Sequence, residues 1–395
     1  MIQRVLIFST DDFLYPAGGA EVAIEEISKR MPSVSFTFIC AKLRKKSPSY
    51  EKIGNVEIHR IGFGIPKLDG ILLALFGSKL AKKLHIRSPF DISWAVMASY
   101  GAFAALDFKR KSGVPYLLTL QEGDSLETIK GKTRFVSKKF SSIFKEAAGL
   151  QAISSFLFEW GKRMGFKGAC GRVIPNGVDI KMFADEIYVD QTAKIKNSFG
   201  FLEGAKIIIT ASRLESKNGV EDIIKSLPLL PAKVCLVVCG GGSLEEKLKN
   251  LVHQLLLQDR VKFLGFVERE RLPLLFKSSD VFVRPSLSEG LGSAFLEAMA
   301  AGIPVIGTSV GGIPDFLIDP SSTSGQAATG FFCEPQNPKS VAQTIEKVLT
   351  LSSQEKETII SRAQSIVKEK YDWDKIGKEM ESMFECVYTN ARIVL

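Results

Sequence analysis

Short apolar runs of strand length alternate along the whole chain with segments whose apolar residues recur at helical spacing. Residues 1–10, 33–40, 55–60, 90–96, 116–120 and 149–153 read as strands in the first half. A second series follows at 206–211, 232–238, 261–264, 281–283 and 304–307, with a late strand and turn at 330–335. Between them, residues 20–29, 220–227, 293–301, 340–349, 354–369 and 374–388 carry amphipathic helical patterns. Strand–helix alternation of this kind predicts an α/β protein built on parallel sheets. The two series predict two Rossmann-like domains facing each other, residues 1–180 and 181–372, with a last helical piece at 373–395. A cleft between such domains is the default ligand site.

Composition changes this picture little; the distribution of charge changes it more. The chain is 45% hydrophobic and 24% charged, ordinary for globular domains with sizeable cores. The net charge of +9 is uneven: the formal balance is +12 over residues 1–175 and −3 over 176–395. A basic first half suits an anionic substrate or surface. Two segments concentrate it. Residues 72–84 (LLALFGSKLAKKL) mix apolar positions with Lys79, Lys82 and Lys83, reading either as a membrane-surface face or as a solvated helix face packed on a sheet. Residues 130–145 are basic with Phe135, Phe140 and Phe144 interleaved, a pattern that suits lipid headgroups, single-stranded nucleic acid or a plain solvated face. No nucleic-acid-binding motif accompanies either segment, so no nucleic-acid partner is expected.

The six cysteines form no CxxC pair and the three histidines are scattered. These features point to a reducing cytoplasm and away from a zinc site. The N-terminal apolar run is too short for a signal peptide and meets Asp11-Asp12 at once, and no run of eighteen apolar residues occurs. A cytoplasmic protein, peripheral on the inner face of the membrane, is expected.

The candidate chemistry sits past strand ends. The loop ending in Gly18-Gly19 opens a helix after the first strand, yet lacks the GxGxxG fingerprint of dinucleotide sites. The polar loop Gln121-Glu122-Gly123-Asp124 follows the strand YLLTL. Arg213 and Lys217 lie four apart on the loop after residues 206–211, spaced to clamp a diphosphate. The turn Ser288-Glu289-Gly290-Leu291-Gly292-Ser293 then leads into a helix carrying Glu297. A helix N-terminus there offers free N–H groups to an anion. The flanking carboxylates of Glu289 and Glu297 suit sugar hydroxyls. Asp372-Trp373-Asp374 has DxD spacing but stands before the last helix, where it reads as N-capping rather than metal binding.

Several of these pieces, in this order, resemble GT-B glycosyltransferases of the large retaining family 4, which includes bacterial α-mannosyltransferases and sucrose-type synthases. They are Pro16–Glu21 (PAGGAE), Val173–Asp179 (VIPNGVD), Ser212–Gly219 (SRLESKNG), Val237–Gly242 (VVCGGG), Phe263–Val267 (FLGFV) and SEGLGSAFLEAMAAGIPVIGT. The resemblance implies a GT-B fold whose C-terminal helix crosses back to the N domain, which binds the acceptor. It implies Glu289 on the transferred sugar, Glu297 on the nucleotide ribose, and Arg213 and Lys217 on the leaving diphosphate. Backbone at Gly290, Leu291, Gly292 and Ser293 would hold phosphate or sugar oxygens. Gly18 and Gly19 would let the N-domain loop approach the donor, and Phe266 and Val267 would edge the base. Two departures stand out. Asn218 occupies the family's usual lysine position, with Lys217 one place early. The histidine expected after YLLTL is replaced by Gln121-Glu122, one of which is expected to fill that role.

The implied activity is metal-independent transfer of a hexosyl group from a nucleotide-diphosphate sugar, with no cofactor. The acceptor would be a saccharide, a lipid-linked saccharide or a surface polysaccharide, and an anionic membrane would be a partner. The alternatives are a nucleotide-sugar epimerase or hydrolase on the same fold, and a non-catalytic nucleotide-sugar-binding subunit.

Overall fold

The structure, a computed structural model, describes residues 2–11, 18–184, 189–322, 325 and 327–393. Asp12 and Pro16, singled out in the sequence, lie outside the described residues. The chain forms two compact units: residues 1–176 with 373–395, and residues 177–372. The passage between them falls at Asn176/Gly177 rather than at 180/181.

The first unit holds an eight-stranded sheet: β1 (Arg4–Ser9), β2 (Ser35–Ala41), β3 (Tyr50–Ile53), β4 (Val56–Ile61), β5 (Ile92–Val96), β6 (Tyr116–Leu120), β7 (Gly149–Ala152) and β8 (Cys170–Val173). Their order is β3-β4-β2-β1-β5-β6-β7-β8, with every neighbour parallel except β3 against β4. Strands β1, β2, β5, β6 and β7 are buried nearly throughout. Burial on both faces is why they read as continuous apolar runs rather than as alternation. The edge strand β3 is mostly exposed and its sequence, YEKI, carries no such run. It and the helix Tyr100–Ser112 are not legible in the sequence reading.

The last helix, Trp373–Ile393, belongs to this unit. Trp373, Ile376, Met380, Met383, Phe384 and Val387 join one core with Trp94, Val96, Leu117 and Ile174. Arg30 Nε donates to Asp374 at 2.8 Å. Asp374 is thus an ion-pair partner, and Trp373 is core.

Cys170 in β8 and Cys386 in this helix form a disulfide, Cα–Cα 6.0 Å. Cys40, Cys235, Cys239 and Cys333 are buried thiols. The absence of a CxxC pair, on which the sequence reading drew, did not foretell this bond. A separation of 216 residues hides the pair from any spacing rule.

The second unit holds six parallel strands: β9 (Lys206–Ala211), β10 (Val234–Cys239), β11 (Val261–Gly265), β12 (Val281–Val283), β13 (Val305–Gly307) and β14 (Phe331–Phe332), ordered β11-β10-β9-β12-β13-β14. The chain moves outward from β9 to β10 and β11, then returns to the other side of β9 as β12. The loops after β9 and β12 therefore diverge at a topological switch point, where open α/β sheets bind ligands. The chain enters and leaves this unit side by side, Val178 N–H donating to Tyr371 O at 2.6 Å.

Candidate functional site

In the second unit, three links tie the loop after β9 to the loop after β12. Leu287 N–H donates to the Lys217 carbonyl at 2.7 Å. Gly219, at φ +69°, lies so close that a Cβ there would stand 2.1 Å from the Pro285 carbonyl oxygen. Only glycine meets both demands. The third link is a side chain the sequence reading missed. Arg284 Nη2 donates to Asn218 Oδ1 at 2.9 Å and to Glu289 Oε2 at 2.5 Å. Asn218 is itself held, its Nδ2 donating to the Arg213 carbonyl at 2.6 Å. Arg213 is exposed and Lys217 half-buried, on the loop the sequence assigned them to.

Glu289 lies on the turn and Glu297 in the helix Ser293–Ala300, whose N-cap Gly292 has φ +94°. The Glu289 side chain packs beside that cap: a Cβ on Gly292 would be 3.3 Å from Glu289 Cγ. The Glu289 carbonyl is gripped from the other side by Gly311, at φ +56°, where a Cβ would fall 1.8 Å from it. Gly290, Leu291 and Gly292 are buried, and Ser293 is half-buried. Glu297 Oε1 lies 3.5 Å from Arg269 Nε. Burial raises the Glu297 carboxyl pKa above its ordinary value, against the opposing pull of Arg269 and then Arg284. Both carboxylates expected to be open to sugar hydroxyls thus already face an arginine. The signal for Arg284 was present: a lone cation directly after the apolar strand VFV. Phe266, past β11, is 72% exposed beside half-buried Val267.

In the first unit, the candidate residues split. Gln121 is half-buried and its Oε1 accepts from Asn176 Nδ2 at 3.1 Å; the same Nδ2 reaches the Gly19 carbonyl at 3.3 Å. Asn176 therefore joins the Gly18-Gly19 loop to the loop after β6. It was visible in the sequence only as part of VIPNGVD. Glu122 turns inward instead. Its Oε1 accepts from Ala98 N–H at 2.6 Å, and its Oε2 is buried with no partner among the described residues. Burial pushes its pKa up to about 7, partly countered by the Ala98 amide. The neighbouring backbone is unusual, with Met97 at φ +66°. Asp124 is on the surface, 2.8 Å from Lys132 Nζ. Below them, Trp94 Nε1 donates to Thr119 Oγ1, which donates to Gln151 Oε1, and Gln151 Nε2 donates to the Ile174 carbonyl. This buried chain braces the ends of β5, β6 and β7. Among the described residues no group of acidic, histidine or cysteine side chains stands placed to hold a metal ion.

The two basic segments also differ. Phe140 and Phe144 are core residues, so residues 130–145 present no aromatic face; only Phe135, 88% exposed under Arg134, stands out. The other segment lies in the helix Pro66–Arg87. There Leu75 is 61% and Phe76 50% exposed, with Leu68, Ile71 and Ile86 exposed beside Lys67, Lys79, Lys82, Lys83 and Arg87. No helix among the described residues is long and apolar enough to cross a membrane.

Comparison with known proteins places these features. Residues 17–181 match the model "Glycosyltransferase Family 4", and residues 191–384 match "Glycosyl transferases group 1". An uncharacterized glycosyltransferase of Methanocaldococcus jannaschii is 34% identical over 216 residues, 54% of this chain and 53% of that protein. A GDP-mannose-dependent monoacylated alpha-(1-6)-phosphatidylinositol monomannoside mannosyltransferase of Corynebacterium glutamicum is 27% identical over 54% of this chain and 55% of its own. The chain spans about half the length of these relatives in the matched regions. The structure of a sucrose-phosphate synthase from Thermosynechococcus elongatus superposes with a TM-score of 0.86 at 20% identity, covering 98% of this chain and 100% of its own. That likeness establishes the fold, two α/β Rossmann-like units of the GT-B type.

Proposed function

Because the chain belongs to the group 1 and family 4 glycosyltransferases, we propose that it moves a hexosyl group, with retention, from a nucleotide-diphosphate sugar to a saccharide or lipid-linked acceptor. The observation that carries this reading is the latched pair of loops at the β9/β12 switch point. It sets Glu289, the helix N-terminus at Ser293 and the Arg213–Asn218 loop together within one unit. Retaining transfer loads positive charge on the sugar and negative charge on the departing diphosphate. Cations and helix N–H groups stabilise the second without a metal. Glu289 takes sugar hydroxyls, Glu297 the ribose, and exposed Phe266 the edge of the base. Activity unchanged by EDTA is the expected result for a metal-independent transfer, and loss that added magnesium restores would count against it.

In the first unit, which binds the acceptor, Gln121 is the residue that presents a polar edge where the family resemblance leads one to expect histidine. Glu122 holds the turn from within. The exposed apolar and basic face of the helix Pro66–Arg87 supports docking on an anionic bilayer from the side where nucleotide sugars are made, which suits a lipid-linked or polysaccharide acceptor. The GDP-mannose dependence and phosphatidylinositol mannoside acceptor named for the Corynebacterium relative favour a donor of that class.

The test is a thermal-shift panel of GDP-, UDP- and ADP-sugars, followed by product analysis. A donor at about 100 times its dissociation constant adds about 2.7 kcal/mol of stability. Glycoside formed only when acceptor is present supports transfer. Free sugar or an epimer in its absence sinks it in favour of hydrolysis or epimerisation.

A further inference from the structure

In the reading above Arg284 only latches the two loops, yet it is a tightly placed cation beside the donor residues. It follows β12, its side chain is 11% exposed, and its Nη2 bonds both Asn218 Oδ1 and Glu289 Oε2. Its Nε–H is buried with no partner among the described residues. The hydroxyl oxygens of Ser212, directly after β9, and Ser286, two residues beyond Arg284, are also buried without partners there. Buried donors left unpaired at the ends of adjacent strands are an arrangement a ligand completes. Glu289, the guanidinium's other partner, packs against the N-cap of the helix Ser293–Ala300. Arg284 is therefore one side chain away from a helix N-terminus suited to anions.

Charge gives the reason for such a group. Glu289 is an acid set beside the place where a diphosphate must sit, and two like charges in a partly buried site repel strongly. A guanidinium between them neutralises the carboxylate and offers its remaining N–H edge to phosphate, which its planar fork matches. The loop after β9 makes room for it: Asn218, 2% exposed, accepts the guanidinium.

We infer that Arg284 is a donor-binding, catalytic cation of this chain, gripping the β-phosphate of the nucleotide diphosphate while holding Glu289 for the sugar. The inference rests on the donor reading above, and the experiment separates the two. Dissociation constants are measured for GDP and GMP, UDP and UMP, and ADP and AMP on the full chain. In the unchanged protein the preferred diphosphate binds at least about tenfold more tightly than its monophosphate. Arg284→Leu is expected to bring that ratio close to one while leaving monophosphate affinity within about twofold. Arg284→Lys keeps part of the preference, and Asn218→Lys combined with Arg284→Leu restores it by returning the charge from the other loop. Should Arg284→Leu keep the full diphosphate preference, or weaken both nucleotides equally, Arg284 is only a tie for Glu289 and the inference is wrong. If Arg284→Leu does not fold, loss of the preference in Arg284→Lys with no gain on adding Asn218→Lys overturns it equally. An unchanged protein that binds no nucleotide at all defeats the donor reading and this inference together.

Discussion

Glu122→Gln isolates the cost of one buried acid. The Glu122 carboxyl titrates near 7 rather than 4.5, because burial penalises its charged form more than the Ala98 amide repays. The folded state therefore binds the proton more tightly than the unfolded one. Stability is full below about pH 4.5 and falls as pH rises towards 7, beyond which the loss is complete. The whole shift corresponds to roughly 3 kcal/mol, most of it lost between pH 5 and pH 8. Glutamine keeps an oxygen for Ala98 N–H and carries no charge at either pH. It adds an amide where Oε2 has no partner, but that penalty is the same at both pH values and drops out of the difference. Urea unfolding followed by tryptophan fluorescence is the assay, since Trp94, Trp160 and Trp373 all belong to the first unit. The change in stability on Glu122→Gln should be more favourable at pH 8 than at pH 5 by roughly 2 to 3 kcal/mol. An equal effect at the two pH values would refute the reasoning and mean that Glu122 is ionised in the folded protein with a partner or water at Oε2.

Three further outcomes follow from other parts of the molecule. The Cys170–Cys386 bond closes a loop of 216 residues, so Cys386→Ser should lower the stability of the first unit by up to about 5 kcal/mol in non-reducing urea titrations; titrations that match with and without dithiothreitol would show that no bond forms. Asn176→Ala removes the side chain joining Gln121 to the Gly19 carbonyl and should lower kcat about tenfold with little change in donor affinity; an unchanged kcat counts against a role for Gln121. Lys82→Glu with Lys83→Glu should cut binding to vesicles of phosphatidylglycerol and phosphatidylcholine at least tenfold at low salt, each lysine contributing about 1 kcal/mol at such a surface. Equal binding by the double variant would remove the helix Pro66–Arg87 from the interface.

Much of the architecture is legible because parallel strands are buried on both faces. KIIITA and YLLTL leave no alternative reading, and β9 and β6 have the bounds the sequence suggests. The helix Ser293–Ala300 stops just before Gly302, where φ is +81°. What escaped were elements without an apolar signature, such as β3, and segments whose pattern fits two settings. The interleaved phenylalanines of residues 130–145 suited a lipid face, but Phe140 and Phe144 went into the core. The exposed side chains are instead those of Pro66–Arg87, a difference decided by which neighbour each helix packs against.

By itself the sequence determined the strand series, the positions of the glycine turns, and which residue types stand past each strand end. Those follow from local chemistry: apolar periodicity, backbone freedom and spacing. Only the tertiary structure decided which partners those residues meet. Asn218 and Arg284 lie far apart in the chain and meet because β9 and β12 are neighbours across a change of winding direction. Glu122 and Gln121 are adjacent in sequence, but successive side chains leave the chain in different directions, so one is sealed against Ala98 and the other tied to Asn176. Cys170 and Cys386 join because the last helix packs on the first sheet. Long-range pairing of this kind is set by packing, and no spacing along the chain encodes it.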